Sequence, residues 1–251
     1  MLQVEHIKKS FGGTEVLKDV SLRVDDGDVV TILGPSGSGK TTLLRCLDFL
    51  ERADGGTLTL DGTRVDLAHA KEKEILDVRR RTAFVFQNYN LFANKTAEEN
   101  LMEGLVTARG VAPAEARQKA REALAWVGLL DQAGAYPNHL SGGQQQRIGI
   151  ARAVVLDPSV IYFDEPTSAL DPELVDDVLN VIREVARRGI TMIVVTHEMA
   201  FARDVSNHVV FMEGGRVVEE GPPEEIFTQP REERTRAFLG RYLSDKNMYY
   251  I

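Results

Sequence analysis

The chain has 251 residues, of which 43% are apolar and 27% are charged, a composition that is ordinary for a globular protein. This length predicts one large domain, or one domain with a subdomain inserted into it. The formal net charge of −8 argues against general nucleic-acid binding, which depends on neutralising phosphates. No apolar run is long enough to cross a bilayer, and residues 1–6 lack the basic and apolar regions of a signal peptide. We therefore expect a cytoplasmic protein whose one cysteine, Cys46, is buried and reduced.

The first two predicted strands cover residues 2–8 and 16–24, with a predicted turn at 9–13 between them. Phe11 lies in that predicted turn. An aromatic ring at this position is able to stack on a purine, and it is equally able to anchor the core. The residues alone leave both interpretations open.

A glycine-rich stretch follows the third predicted strand, residues 29–33, and leads into a predicted helix. Residues 34–41 read G-P-S-G-S-G-K-T, which has the spacing of a phosphate-binding loop. Glycines allow the backbone N–H groups to converge on one point, and the helix adds its positive N-terminal end there. Lys40 is predicted to contact the outer phosphates, and the Thr41 hydroxyl is predicted to ligate Mg²⁺. An ordinary glycine turn is the alternative, and the flanking strand and helix argue against it.

The next segment predicts a hairpin at 54–62, a charged helix at 69–80 and an apolar strand at 82–87. That strand ends on Gln87, whose amide is either a ligand for Mg²⁺ or water or a simple cap of the strand. A polar loop with aromatic residues, 88–92, follows it.

Residues 96–127 change character, because two amphipathic helices are predicted at 97–107 and 112–127 with no strand between them. We predict an inserted helical subdomain over residues 88–156. The nucleotide-binding core would then consist of residues 1–87 and 157–251.

A second helix start that favours anions lies at residues 141–144, which read S-G-G-Q and carry no acidic residue in the first turn. A plain helix cap explains Ser141, but it does not explain the two glycines, Gly142 and Gly143. This stretch is therefore predicted to bind a phosphate as well.

Two later strands end on polar residues that belong at the ligand-binding edge of a parallel sheet. The strand over 160–165 ends on Asp164, predicted to hold Mg²⁺, and Glu165, predicted to take a proton from water. The strand over 190–197 ends on His197, a second site candidate. Asp171 reads as a helix cap and as a site residue, and both roles can hold. A hairpin at 209–220 and a charged helix at 230–243 complete the prediction.

In their order and spacing these motifs resemble the ATP-binding subunit of ABC transporters over essentially the whole chain. Residues 34–41 match its Walker A motif, Gln87 its Q-loop, 140–144 its LSGGQ signature, 160–164 its Walker B motif, 168–171 its D-loop and His197 its H-loop. The resemblance implies an α/β fold: a P-loop NTPase core with a mostly parallel sheet, an N-terminal antiparallel β-subdomain and an inserted helical subdomain.

The resemblance also implies a head-to-tail pair of copies that bind ATP between the Walker A motif of one and the signature of the other. Glu165, His197 and Lys40 would be catalytic, and Thr41, Gln87 and Asp164 would serve Mg²⁺. The implied nucleotide-binding residues are Phe11, Val16, Ser36, Gly37, Ser38, Gly39, Lys40, Thr41, Thr42, Ser141, Gly142, Gly143, Gln144 and Asp171. Membrane-spanning permease subunits are the implied partners, with a solute-binding protein acting indirectly, at the cytoplasmic face of the membrane. We expect a permease helix to dock on residues 88–92, the docking loop, which contains Tyr89, Leu91 and Phe92. The alternative is that these side chains pack on the helical subdomain.

Within that family the chain resembles the polar amino-acid uptake branch, and residues 84–100 are similar to cystine importers in particular. Phe11 stands where many relatives carry tyrosine, and Asn94-Lys95 replaces a more usual Pro-His pair. The main alternative is an ABC-type ATPase that acts on nucleic acid or the ribosome. The compact helical insertion and the acidic balance disfavour it, and nucleic acid is not an expected partner.

Overall fold

The structure, a computed structural model, describes residues 1–246 and places their strands in two sheets. The strands are β1 Leu2–Phe11, β2 Thr14–Val24, β3 Val29–Leu33, β4 Gly55–Leu60, β5 Thr63–Asp66, β6 Thr82–Val85, β7 Val160–Asp164, β8 Met192–Val195, β9 His208–Glu213 and β10 Arg216–Gly221. The α-helices are α1 Lys40–Leu47, α2 Glu72–Arg81, α3 Ala97–Glu103, α4 Pro113–Trp126, α5 Gly142–Val154, α6 Pro172–Arg187, α7 Met199–Val205, α8 Pro223–Thr228 and α9 Glu233–Lys246.

The central sheet has the order β10-β9-β3-β8-β7-β6, and each pair is parallel except the β9–β10 hairpin. Every residue of β3, β7 and β8 is buried, as continuous apolar strands of a parallel sheet require. One face of the sheet packs against α1 and the antiparallel sheet, and the other packs against α5 and α6. Parallel strands end at one edge, so the residues that follow β3, β7 and β8 come together there.

The antiparallel sheet has the order β2-β1-β4-β5, which confirms the predicted N-terminal β-subdomain and its hairpin. The prediction that Phe11 lies in a turn is wrong. β1 extends through Phe11, which pairs with Thr14, because Gly12 and Gly13 form a two-residue turn with φ angles of 54° and 83°. Phe11 is 45% exposed, so its ring does not anchor the core.

Between β6 and β7 the described elements are helical, as predicted, and they share a separate apolar cluster around Leu101, Leu124 and Ile148. The helix predicted over 97–107 is α3 followed by a π-helical turn, Gly104–Ala108. α3 begins where Thr96 and Glu99 form a reciprocal capping box. The subdomain boundaries at 88 and 156 remain a prediction.

Other differences from prediction are local. The strand predicted over 82–87 ends at Val85, so Gln87 lies in the following turn. The short helices α7 and α8 were not predicted. The predicted C-terminal helix is present as α9, and positions 247–251 of the predicted core lie outside the described residues.

Cys46 is buried, as predicted, and burial raises the pKa of its thiol to about 12. No helix in the described part of the chain combines the length and the apolar character that crossing a membrane requires.

Candidate active site

The phosphate-binding loop connects β3 to α1 and is pressed against neighbouring strands. Gly39 has a φ of 101°, and a Cβ atom placed on it would lie 2.9 Å from the backbone oxygen of Val16 in β2. Gly34 has a φ of 146°, and a Cβ atom there would collide with the backbone oxygen of Met212 in β9. Only glycine satisfies both the positive φ and the close approach, so these glycines fix the shape of the loop.

Lys40 lies inside this loop and is 5% exposed. Its Nζ atom donates to the backbone oxygens of Gly34, at 2.8 Å, and Pro35, at 3.0 Å. Burial lowers the pKa of Lys40, and the charges of Glu165 and Asp164 act in the opposite direction. A buried cation held by carbonyl oxygens is well placed to move onto an anion in the loop.

The N-terminal end of α1 points into the same loop. Its cap residue, Gly39, provides no side-chain hydrogen bond, and the first turn contains no acidic residue. The N–H groups of Lys40, Thr41 and Thr42 have no acceptor within the helix, as at any helix start. Uncapped N–H groups next to Lys40 match the donor set that a phosphate group needs.

Ser36 and Gly37 complete the loop, and space is open next to Gly37, where an added Cβ atom would meet no atom within 4 Å. Ser38 behaves differently. Its hydroxyl is buried without a partner among the described residues, and it lies 3.1 Å from the position of a Cβ atom on Gly34. The Ser38 N–H donates to the Pro35 carbonyl at 3.2 Å and the Ser38 carbonyl accepts from the Gly215 N–H at 3.2 Å, so the contact of Ser38 with a nucleotide stays a prediction.

Thr41 and Asp164 are in direct contact, because the Thr41 hydroxyl donates to Asp164 Oδ1 at 2.7 Å. Burial raises the pKa of Asp164, although the Thr41 hydrogen bond and the charge of Arg45 oppose that change. Hydroxyl and carboxylate oxygens are ligands that Mg²⁺ prefers, so this pair suits the ion. Gln87 is exposed in the turn after β6, and its side chain has no hydrogen bond to the pair among the described residues.

Glu165 lies one residue beyond β7 and is held from two sides. The His197 Nε2 atom lies 2.8 Å from Glu165 Oε1, with the ring nitrogen as donor to the ionised carboxylate, and the Ser168 hydroxyl donates to Oε2 at 2.9 Å. The hydrogen bond from His197 lowers the pKa of Glu165, as do Ser168 and Lys40, whereas burial opposes them. Adjacent carboxyl groups whose pKa values move in opposite directions are typical of an acid–base site.

The predicted second anion site, at the start of α5, forms a separate group. Ser141 Oγ accepts from the Gln144 N–H at 3.3 Å, and Gln144 Oε1 accepts from the Ser141 N–H at 2.8 Å, which makes a capping box. A Cβ atom on Gly142 would lie 2.6 Å from the Tyr89 hydroxyl, and one on Gly143 would lie 3.3 Å from Leu174 Cβ. The two glycines thus have a packing reason that the sequence did not reveal.

Two further predicted residues lie on other elements. Asp171 is exposed at the N-cap of α6 without a side-chain capping bond. The Phe11 ring lies at the tip of the β1–β2 hairpin, with Lys9 Nζ 4.7 Å from the ring centre. Sequence reasoning missed two contacts, Ser168 to Glu165 and Tyr89 to Gly142. The Glu-x-x-Ser spacing, which places a hydroxyl one turn after the carboxylate, was the available signal for the first.

Comparison with known proteins agrees with this geometry. The family model described as ABC transporter matches residues 17–168. The chain is 52% identical to the L-cystine import ATP-binding protein TcyC of Bacillus subtilis, over 97% of this chain and 99% of the relative. It is 49% identical to the L-cystine transport system ATP-binding protein TcyN of Escherichia coli, over 96% of this chain and 98% of the relative.

The fold agrees as well. A dimeric structure of the ATP-binding cassette MJ0796 in a post-hydrolysis state with ADP and Pi superimposes with a TM-score of 0.79 and 34% identity, covering 89% of this chain and 99% of that one. The matched family, the relatives and the shared cassette fold lead to one conclusion: the chain belongs to the ABC transporter family.

Proposed function

We propose that this chain is the ATP-hydrolysing subunit of an importer for a polar amino acid, with cystine as the first candidate. The cluster of Lys40, Thr41, Asp164, Glu165 and His197 at one edge of the central sheet carries the proposal. The names of similar proteins support the transported class, since three of them are ATP-binding proteins of cystine import or transport and others are ATP-binding proteins of arginine or glutamine transport.

In the proposed reaction the Lys40 ammonium leaves the carbonyl oxygens of the loop for the outer phosphates of ATP. The N–H groups at the start of α1 hold the same phosphates, and their charge stabilises the transition state. Glu165 accepts a proton from the water that attacks the γ-phosphorus, and the bond from that phosphorus to the ADP oxygen breaks. His197 orients Glu165, as in the described contact, and then the γ-phosphate.

Mg²⁺, when bound, would neutralise phosphate charge, with Thr41, Asp164 and Gln87 as its proposed ligands. Thr41 and Asp164 already lie together. Gln87 would reach the ion by movement of its exposed turn.

The second half of the site would come from another copy of the chain. Ser141 is exposed at the start of α5, and the N–H groups of that first turn are free of acidic neighbours. We propose that Ser141, Gly142, Gly143 and Gln144 of one copy close over ATP held by the loop of the other. The dimeric form of the structurally similar cassettes supports this arrangement.

The permease is proposed to dock in a cavity of about 520 Å³ between the core and the helical region. Its apolar lining includes Leu50, Phe84, Phe86, Phe92 and Leu156. Phe92, which is 46% exposed, suits the predicted docking role.

Two neighbours of Phe92 do not line that cavity. Leu91 packs against the helical cluster, and the Tyr89 hydroxyl bonds to the backbone of Ala169. The alternative that these side chains pack within the chain therefore holds for Leu91. Tyr89 also makes its contact within the chain, but with segment 168–170 and not with the helical cluster.

The test begins by purifying the chain together with its permease and placing the complex in lipid vesicles with the solute-binding protein. ATP hydrolysis is then measured with cystine, glutamine or arginine present. We expect cystine to raise the rate most and double-stranded DNA to leave it unchanged. Stimulation by DNA, with none by any amino acid, would favour the nucleic-acid alternative. In the same vesicles, cysteine introduced at position 92 should cross-link to the permease, whereas cysteine introduced at exposed Leu130, which is not part of the cavity lining, should not.

A further inference from the structure

We propose that Tyr89 is a positioning residue that sets the orientation of Glu165 through segment 168–170 and fixes the start of α5 at the same time. The inference rests on the proposed function, because it assigns to the docking loop a direct mechanical connection to the catalytic base. Three sets of contacts carry it.

The first set is a short path from Tyr89 to Glu165. The Tyr89 hydroxyl donates to the backbone oxygen of Ala169 at 3.0 Å. The neighbouring Ser168 donates from its hydroxyl to Glu165 Oε2 at 2.9 Å and from its N–H to the Glu165 carbonyl at 3.2 Å. The Ala169 carbonyl shares a peptide unit with the Leu170 N–H, which donates to the Thr167 carbonyl at 3.0 Å, and that carbonyl shares a peptide unit with the Ser168 N–H. A displacement of the Ala169 carbonyl therefore shifts Ser168, the residue that holds the Glu165 carboxylate.

The second set places the same phenol against the start of α5. A Cβ atom on Gly142 would lie 2.6 Å from the Tyr89 hydroxyl and 3.3 Å from Leu170 Cδ2. Tyr89 therefore lies between the start of α5 and segment 168–170 and contacts both. Movement of this one ring changes the two surfaces that, in the proposed dimer, face ATP and the partner.

The third set connects Tyr89 to the docking cavity. Arg152 of α5 donates to the backbone oxygens of Asn90, at 2.8 Å, and Tyr89, at 3.3 Å. Tyr89 and Asn90 have φ angles of 60° and 48°, a left-handed conformation that is uphill for non-glycine residues. The Arg152 guanidinium also lies 5.8 Å from the centre of the exposed Phe92 ring.

These contacts give the loop a simple mechanical role. Arg152 holds two strained residues in place, and it also contacts the side chain that a docked partner would cover. A partner that moves Phe92 alters the position of Arg152, and with it the Tyr89 ring and segment 168–170. Docking is thereby connected to the carboxylate that receives the proton.

The test removes one atom. Tyr89→Phe keeps the ring against Gly142 but loses the hydrogen bond to Ala169. We expect kcat for ATP to fall about two- to tenfold, the range of one hydrogen bond, with an unchanged KM and a thermal unfolding midpoint lowered by about 2–4 °C. Ser168→Ala should lower kcat by a similar factor. In the double variant kcat should fall by less than the product of the two single factors, because both changes act on the same path. Tyr136→Phe, which alters a tyrosine that is 43% exposed, is the matched control and should behave as wild type.

Hydrogen exchange of the full chain provides a readout independent of activity. In Tyr89→Phe, the amides of residues 167–170 should exchange faster, while those of β8 stay unchanged. Wild-type kcat and unchanged exchange in Tyr89→Phe would overturn the inference, as would fully multiplicative losses in the double variant. A wild-type chain that does not hydrolyse ATP would instead overturn the proposed function, and the exchange data would still decide the role of Tyr89.

Discussion

The buried carboxyl group of Asp48, next to the helix that follows the phosphate-binding loop, predicts a measurable dependence of folding stability on pH. It follows the last turn of α1, is 8% exposed, and accepts a hydrogen bond from the Thr82 hydroxyl at 2.6 Å. Burial raises the pKa of its carboxyl from 3.8 to about 6, against the opposing effects of Thr82 and Arg79. The carboxylate is therefore ionised at neutral pH in a place that favours the neutral acid.

The sign of the effect follows from proton linkage. Between pH 3.8 and about 6 the folded chain holds a proton on Asp48 that the unfolded chain has lost, so stability falls as pH rises across this window. Across the whole window the ionisation of Asp48 lowers the free energy of unfolding by about 3 kcal/mol, and about 1.3 kcal/mol of that loss occurs between about pH 5 and 7.5. Asn at position 48 does not ionise, so Asp48→Asn should lose none of this stability.

Urea unfolding of both proteins across that pH range measures the difference. Relative to wild type, Asp48→Asn should gain about 1.3 kcal/mol on going from about pH 5 to 7.5. Asp61→Asn is the matched control. Burial favours the neutral form of Asp61, but Ser159, the N-terminal ammonium and Arg81 together lower its pKa below 3.8. The stability that Asp61 contributes is therefore lost only as pH falls below about 3.8, and the difference between Asp61→Asn and wild type should stay flat between about pH 5 and 7.5. A wild-type minus Asp48→Asn difference that is flat with pH would refute the reasoning.

Three further outcomes are expected. Gly39→Ala should weaken ATP binding by calorimetry more than tenfold, because its Cβ would lie 2.9 Å from a β2 carbonyl, whereas Gly62→Ala, also at a positive φ but with open space, should bind normally. Lys9→Met should weaken ATP binding about two- to fivefold without changing the affinity for inorganic triphosphate, because Lys9 Nζ lies 4.7 Å from the centre of the Phe11 ring, which is predicted to stack on the base; equal losses for both ligands would contradict this. Cys46 should resist a thiol reagent in the folded chain and react fully in denaturant, since its pKa is about 12.

The site cluster was predictable because of strand direction. Once residues 29–33, 160–164 and 190–197 read as buried parallel strands, the residues after them had to meet at one edge. The structure places Lys40, Asp164, Glu165 and His197 together in that way. Their roles in catalysis remain predictions, and the family assignment from motif order is confirmed by the family match and the relatives.

Other features depend on contacts between distant parts of the chain. Phe11 is in a strand because a Gly-Gly turn lets pairing continue, whereas the sequence reads as a longer turn. Gly142 and Gly143 leave room for the close approach of Tyr89 and Leu174, which no local pattern reveals. The helices α7 and α8 span only seven and six residues, too few for apolar periodicity to be read.

The central claim is that two copies enclose ATP between the loop of one and the α5 start of the other. Sedimentation of Glu165→Gln with ATP and Mg²⁺ tests it most directly, because ATP should accumulate unhydrolysed. We expect an ATP-dependent dimer that disappears when Ser141→Arg is added and persists when Thr96→Arg, which disrupts a comparable capping box, is added instead. A Glu165→Gln chain that stays monomeric with saturating ATP, or a dimer that tolerates Ser141→Arg, would contradict the account.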